Sequence, residues 1–305
     1  MSDPNPHVLL VGHPPATEFL GLVSAETRES HGGEDGALMN AWRRGNDHVL
    51  ALTETEAGYA DGIELGDVPE ELAPLVERAL ADPVMRRDYD LAPVSVAWIE
   101  LDRLVVQQTH INLAYAEELR AELGEAPDLV RVFEFALPYD KRRDPPVEVE
   151  RVGETAWIFT SASNDFRILD AELLEPEQVT GFDGVGVPST IVALSVGYGS
   201  NYLSALAIGS RLVLHNGSHR AYALRAAGHT HAPCLIQHVS GNEELRAIAG
   251  DGHPLLAHDD NILTAARPPL FKDYFDEKLR MIVSAPAMVR KVHVGFNLNV
   301  EDLPA

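Results

Sequence analysis

The chain has 305 residues, with 47 Asp+Glu against 24 Lys+Arg, a net charge of −23, one cysteine and 45% hydrophobic residues. That apolar fraction excludes a disordered acidic chain and suits one large domain or two modest ones. So acidic a surface repels phosphate backbones and anionic lipid, so neither general nucleic-acid binding nor a membrane partner is expected. The longest basic run is Lys141-Arg142-Arg143, too short for a binding stripe. No stretch approaches the roughly 20 apolar residues of a membrane span. The opening MSDPNPHVLLVGHPP lacks the basic start and long apolar core of a secretory signal. Cys234 alone allows neither an internal disulfide nor a redox pair. A cytoplasmic address is therefore expected, and self-association is left open.

In chain order, residues 7–12 and 48–53 are apolar runs of strand length, and 37–44 between them reads as a short helix. Residues 68–82 carry a helix start at Pro69 and apolar residues at helical spacing (Leu72, Leu75, Ala79, Leu80). Together, 1–92 reads as an N-terminal α+β subdomain. Residues 94–100 alternate as a strand, and 101–106 continue as a second apolar step. The polar loop Gln107-Gln108-Thr109-His110 follows. Asn112 is suited to cap a helix over 113–123 that ends at Gly124.

Residues 131–137 read as a strand, and the charged 139–150 with Pro145-Pro146 as a linker or exposed loop. Strand-like runs recur at 155–160 and 190–196. Gly197-Tyr198-Gly199-Ser200-Asn201 resembles a phosphate-cradling turn that opens a helix capped by Ser200 or Asn201. It lacks the third glycine of the dinucleotide fingerprint, and a plain strand-to-helix turn is the competing reading.

Residues 211–239 are the most legible stretch: strand 211–215, turn Asn216-Gly217-Ser218, helix 219–227 stopped by Gly228, and strand 232–239. At this turn a glycine admits close approach, the first helix N–H groups lack ladder partners, and Arg220 adds a bidentate cation. Such a turn suits a small anion, most naturally phosphate. A well-capped turn with Arg220 paired to a carboxylate is the equally open alternative. The tail, 268–305, reads as a helix at 269–276 and strands near 279–284 and 290–297. His215, His219, His229 and His231 crowd seventeen residues, but strand, turn and link separate them, so no transition metal is expected.

The stretch LVLHNGSHRAYALRAAGHTHAPCLIQ resembles the Gly–x–x–Arg box of the ParB/sulfiredoxin superfamily, through Gly217, His219, Arg220, Ala223 and Gly228. WIELDRLVVQQTHINLAYAEEL is similar to that superfamily's first segment. About a fifth of the chain is covered. The resemblance implies an α+β fold: a ParB-like core over 93–240 with an insertion at about 125–205, followed by a C-terminal extension over 241–305. It also implies a nucleotide (CTP, ATP or ADP, with or without Mg) held by Asn216, Gly217, Ser218 and Arg220, with Gly197 to Asn201 closing the pocket. His219 and His110 are the candidate acid–base groups, and phosphoryl transfer or nucleotide hydrolysis the candidate chemistry. Gln107, Gln108 and Asn112 line the first loop. An amide at 107 or 108, where serine kinases of the superfamily place a glutamate, cannot take a proton; a non-catalytic nucleotide sensor or partner-binding module is the alternative. Ser218 and His219 stand where sulfiredoxins need a reactive cysteine, and Cys234 reads as a core residue.

Overall fold

The computed structural model describes residues 5–29, 35–107, 110–139, 145–163, 165–181, 186–249 and 262–301. The fold is mixed α+β and divides into two compact units. The first comprises Met1–Lys141 and Asn201–Ala287; the second comprises Arg142–Ser200 and Met288–Ala305.

In the first unit, β1 (Asn5–Leu10) lies between β3 (His110–Asn112) and β11 (Arg280–Ala285), antiparallel to both. Residues 5–10 are thus the middle of a sheet whose edges come from far along the chain, so 1–92 is not a separate subdomain. Likewise, the 241–305 segment is no single extension, because β11 joins this sheet while β12 (Arg290–Gly295) joins the second unit. The second sheet, ordered β2-β10-β8-β9, is built from β2 (Val94–Glu100), β8 (Ser204–Ile208), β9 (Arg211–Asn216) and β10 (His231–Val239). Its β8–β9 hairpin, the helix α7 (Ser218–Ala226) and the return strand β10, parallel to β8, are the ββαβ unit that carries the turn at 216–218.

One large apolar core includes Val8, Ile99, Ile111, Leu119, Phe133, Ala221, Leu224, Cys234 and Ile236, so Cys234 is a buried core residue as expected. A smaller layer fills the other face of β1. Leu9 and Val11 meet Phe19 and Val23 of α1 (Ala16–Thr27), with Leu38 and Trp42 of α2 (Gly36–Glu56) packed against them.

Two expected strands are helices. Residues 48–53 continue α2, which Asp35 caps by accepting from Leu38 N. Leu50 is 60% exposed, so this run is not a buried strand face, and local helix propensity decides. Residues 131–137 lie mostly in α6 (Leu129–Ala136), capped by Asp128 at Arg131 N. Its buried residues, Val132, Phe133, Phe135 and Ala136, fall on one helical face. The expected helix α5 (Leu113–Leu123) forms as read, with Asn112 accepting from Tyr115 N and Gly124 at φ +93° closing it. The expected 269–276 helix shortens to a 3-10 turn, Phe271–Phe275.

The second unit holds β12-β5-β4, with β4 (Glu148–Arg151) and β5 (Ala156–Ser161), and the ribbon of β6 (Phe166–Leu174) with β7 (Ile191–Tyr198). Among the described residues, no helix is long and apolar enough to cross a membrane.

Gly12, at φ +90°, lets the chain leaving β1 press against α2. A Cβ there would overlap the Gly45 carbonyl carbon, where Asn46 Nδ2 also donates to Gly12 O at 3.0 Å. Gly12→Ala therefore combines a disfavoured φ with a backbone clash. We expect it to cost about 3 kcal/mol or more in urea unfolding; an unchanged midpoint would contradict this packing.

Candidate functional site

The two resembling segments, about a hundred residues apart in sequence, meet at β3. This three-residue strand has β1 on one side. On the other, its Asn112 N–H donates to Nε2 of His219 at 3.0 Å, where a further strand would otherwise accept. The ring of Tyr115 stands edge-on to His219, with centroids 5.3 Å apart. Two residues before β3, Gln107 Nε2 donates to Leu214 O of β9 at 3.4 Å, and Gln107 Oε1 is buried without a partner among the described residues. Gln108 lies outside the described residues.

The turn itself has the expected shape, for partly different reasons. Asn216 Oδ1 accepts from Gly217 N at 2.7 Å, and Gly217 adopts φ +80°. A Cβ at Gly217 would meet Leu203 Cα at 2.7 Å and Tyr202 O at 2.9 Å. The glycine is required by the neighbouring chain, not by a ligand approaching on that side. Ser218 opens α7 and is buried.

Arg220 departs furthest from its expected role as a phosphate ligand. It is 8% exposed, Nε donates to Asn201 O at 3.0 Å, and Nη1 donates to Phe135 O at 2.8 Å. Its guanidinium also lies over the Phe135 ring at 5.2 Å. Burial lowers its pKa from the ordinary value, yet an arginine stays protonated at neutral pH. The cation therefore braces α6 and the 201 loop against α7. Asn201 is its acceptor.

The remaining glycine-loop residues fall elsewhere. Gly197 and Tyr198 end β7 in the second unit, with Gly199 and Ser200 following; no helix begins there, and the chain passes into β8. Gly197 pairs with Arg167 across the ribbon, and the Arg167 side chain occupies the space a Cβ on Gly199 would need. Tyr198 hydroxyl bonds Ser161 Oγ and donates to Pro145 O. Packing within that unit accounts for both glycines.

His219 sits too deep to act as an acid at neutral pH. Burial, with the nearby His110 and His7, drives its pKa from 6.5 to about 3, and its Nε2 is already an acceptor. His110 lies on β3 rather than in a loop, and Nδ1 faces Glu26 Oε1 at 3.1 Å. Glu26 Oε2 meets His7 Nδ1 at 2.7 Å, and the His7 and His110 rings stack 5.2 Å apart within 4° of parallel. The hydrogen bond from His7 is the largest influence holding the Glu26 pKa below the usual carboxylate value. His7 and Glu26 escaped the sequence reading. Their signal was register: His7 continues the strand face Leu9–Val11, and Glu26 continues the helix stripe Phe19–Val23, so each places a titratable group where an apolar one is due.

The chain matches no protein-family model, no curated protein and no solved structure.

His219 makes the pH dependence of stability legible. Its folded pKa is depressed, so its stability is fully present above about 6.5 and is lost as pH falls towards 3, because the unfolded chain takes up the proton first. The urea midpoint should fall steadily from pH 6.5 to 5. His219→Gln, which keeps an acceptor for Asn112 N but cannot titrate, should remove the His219 share of that slope and leave that of His110, whose pKa burial also lowers. An unaltered slope in the variant would assign the loss to other groups.

Proposed function

We propose that the chain is a cytoplasmic nucleotide-binding protein of ParB-like type, with the anion end of the ligand at the β9–α7 turn. The observation that carries this reading is the convergence just described. The loop bearing Gln107 and the edge strand ending at Asn112 are both fastened to the segment 214–219. The first ladder bond of α7 runs from Ala221 N to Gly217 O at 2.9 Å, so the preceding N–H groups lie at the positive end of the helix, outside its ladder. Asn216 and Ser218 supply polar side chains beside them, and Gln107 Oε1 is a buried acceptor for a base or sugar hydroxyl. Arg220 contributes by holding the turn in shape.

Binding without turnover is the better-supported form. His219 is neutral with Nε2 engaged, and an amide at Gln107 accepts no proton, so neither provides the general base that phosphoryl transfer to a hydroxyl uses. The ligand, a nucleotide with or without Mg, would then be sensed and released intact.

Calorimetric titration with CTP, ATP, ADP and pyrophosphate in the presence of magnesium tests the site, and phosphorus NMR of each mixture tests turnover. At least one ligand should bind stoichiometrically with its phosphate signals unchanged. Asn216→Asp keeps the acceptor for Gly217 N but sets a negative charge at the turn, and should weaken binding at least tenfold. Failure of all four ligands to bind removes the proposal; steady loss of phosphate signal replaces the sensor with an enzyme.

A further inference from the structure

Beside the turn, and independent of it, the layer between α1 and the first sheet ends in a constellation of two imidazoles and one carboxylate. We propose that His7, Glu26 and His110 form a binding site for one divalent first-row transition ion, of the zinc or iron type. The ligand atoms of the three residues already lie within 4.8 Å of one another, the only such grouping among the described residues. Two ring nitrogens and a carboxylate oxygen are the donor set that holds zinc at catalytic sites and non-haem iron at facial sites, with further positions left to water or substrate.

The placement follows from backbone geometry. Antiparallel pairing sets Leu9 opposite His110 and His7 opposite Asn112, so His7 and His110 are diagonal neighbours on one face of adjacent strands. On α1, Phe19, Val23 and Glu26 recur at i, i+4 and i+7, which carries the carboxylate over that same face. Phe19, Val23 and Leu9 close the site on one side as a dry apolar wall. The three side chains are 11%, 19% and 24% exposed for His7, Glu26 and His110, enough for an ion to enter and for an open coordination position to face solvent.

A structural ion pair explains this cluster less well. One carboxylate needs one cation, whereas Glu26 presents each of its oxygens to a different imidazole nitrogen. Both nitrogens are Nδ1, so both rings turn the same edge towards the one carboxylate. His7 Nε2 stands 3.2 Å from Asn5 Nδ2. An Asn amide presents either its oxygen or its nitrogen there, so it can accept from Nε2–H when Nδ1 is a metal ligand, the outer-shell support metal-bound histidines use. Parallel rings cannot both contain one ion in their planes, so loading requires the two imidazoles to tilt towards each other. His215, His219, His229 and His231, the histidines crowded in sequence, take no part.

The test is metal stoichiometry on the full chain. After stripping with chelator, reloading with excess Zn²⁺ and dialysis against metal-free buffer, the protein should retain close to one equivalent of Zn²⁺, and Co²⁺ added to the stripped protein should give a visible ligand-field spectrum that Zn²⁺ abolishes. Glu26→Gln and His110→Gln should each weaken Co²⁺ binding by roughly a hundredfold or more, while His238→Gln, a histidine bonded to Ser95 in the other sheet, should leave it unchanged. Circular dichroism shows which variants are folded. If one is not, histidine-selective NMR of the natural chain decides, since Zn²⁺ should move the ring resonances of His7 and His110. No retained zinc and no cobalt spectrum would overturn the site. So would undiminished affinity in folded Glu26 and His110 variants, or zinc-dependent shifts at other histidines only.

Discussion

The short strand His110–Asn112 is the constraint on which the rest of the site depends. A three-residue strand at a sheet edge leaves an N–H that must find an acceptor, and the imidazole of His219 supplies it. That single bond fixes the first turn of α7 against the first sheet. The pairing of β3 with β1 sets His110 opposite Leu9, which is what brings His110 to His7 and Glu26. Shift β3 by one residue and His110 turns to the other face of the sheet, on the side of Val8 and Leu10, while Ile111 leaves it. One edge strand thus orders both the helix-terminal turn, through Asn112, and the imidazole–carboxylate cluster, through His110.

Charge is handled differently in the interior than the net value of −23 suggests. Where cations are buried they are fully engaged. Arg267 pairs with Asp273 and Glu56, His13 meets the same Asp273, and Lys272 meets Glu56. Arg211 joins Asp61 to the backbone carbonyls of Ile262 and Ala265. Within the first unit, these pairs tie the 262–276 segment to α2, to the residues after it and to β9. Their geometry closes on itself, so they read as fold-specifying contacts rather than a reaction centre. The His7–Glu26–His110 cluster lacks that closure: one carboxylate serves two rings, and among the described residues no arginine or lysine forms an ion pair with it.

Much of the fold was legible where local rules act alone. The cap at Asn112, the stop at Gly124, the strand–turn–helix–strand run over 211–239 with Gly217 and Gly228 at positive φ, and the burial of Cys234 all follow from residue chemistry at fixed offsets. The misread segments, 48–53 and 131–137, are short apolar runs whose helical state is set by caps lying outside them, at Asp35 and Asp128. The two-unit division and the middle position of β1 were not legible, since a pairing between residues 5–10 and 280–285 leaves no local trace. For the same reason the His7–Glu26–His110 cluster went unseen: its members belong to three elements, and only their inward register marks them.

Arg220 carries the sharpest lesson about reading a site from a motif. An arginine one turn into a helix beside a glycine turn has the chemistry of an anion ligand, but chemistry names a capability and burial decides its use. Two unmatched carbonyls, Phe135 O at the end of α6 and Asn201 O in the loop before β8, need donors in a place that excludes water. A planar guanidinium satisfies both at once, and its stacking on Phe135 recovers part of the desolvation cost. Lysine lacks the planar fork of separate donors that serves both carbonyls while stacking on Phe135, so the fold itself gives a reason for arginine at this position. A Gly–x–x–Arg pattern can therefore persist in a chain for structural reasons after, or without, any role for its cation in binding. The anion binding proposed for this turn then rests on the helix terminus and the Gln107 acceptor, not on this cation.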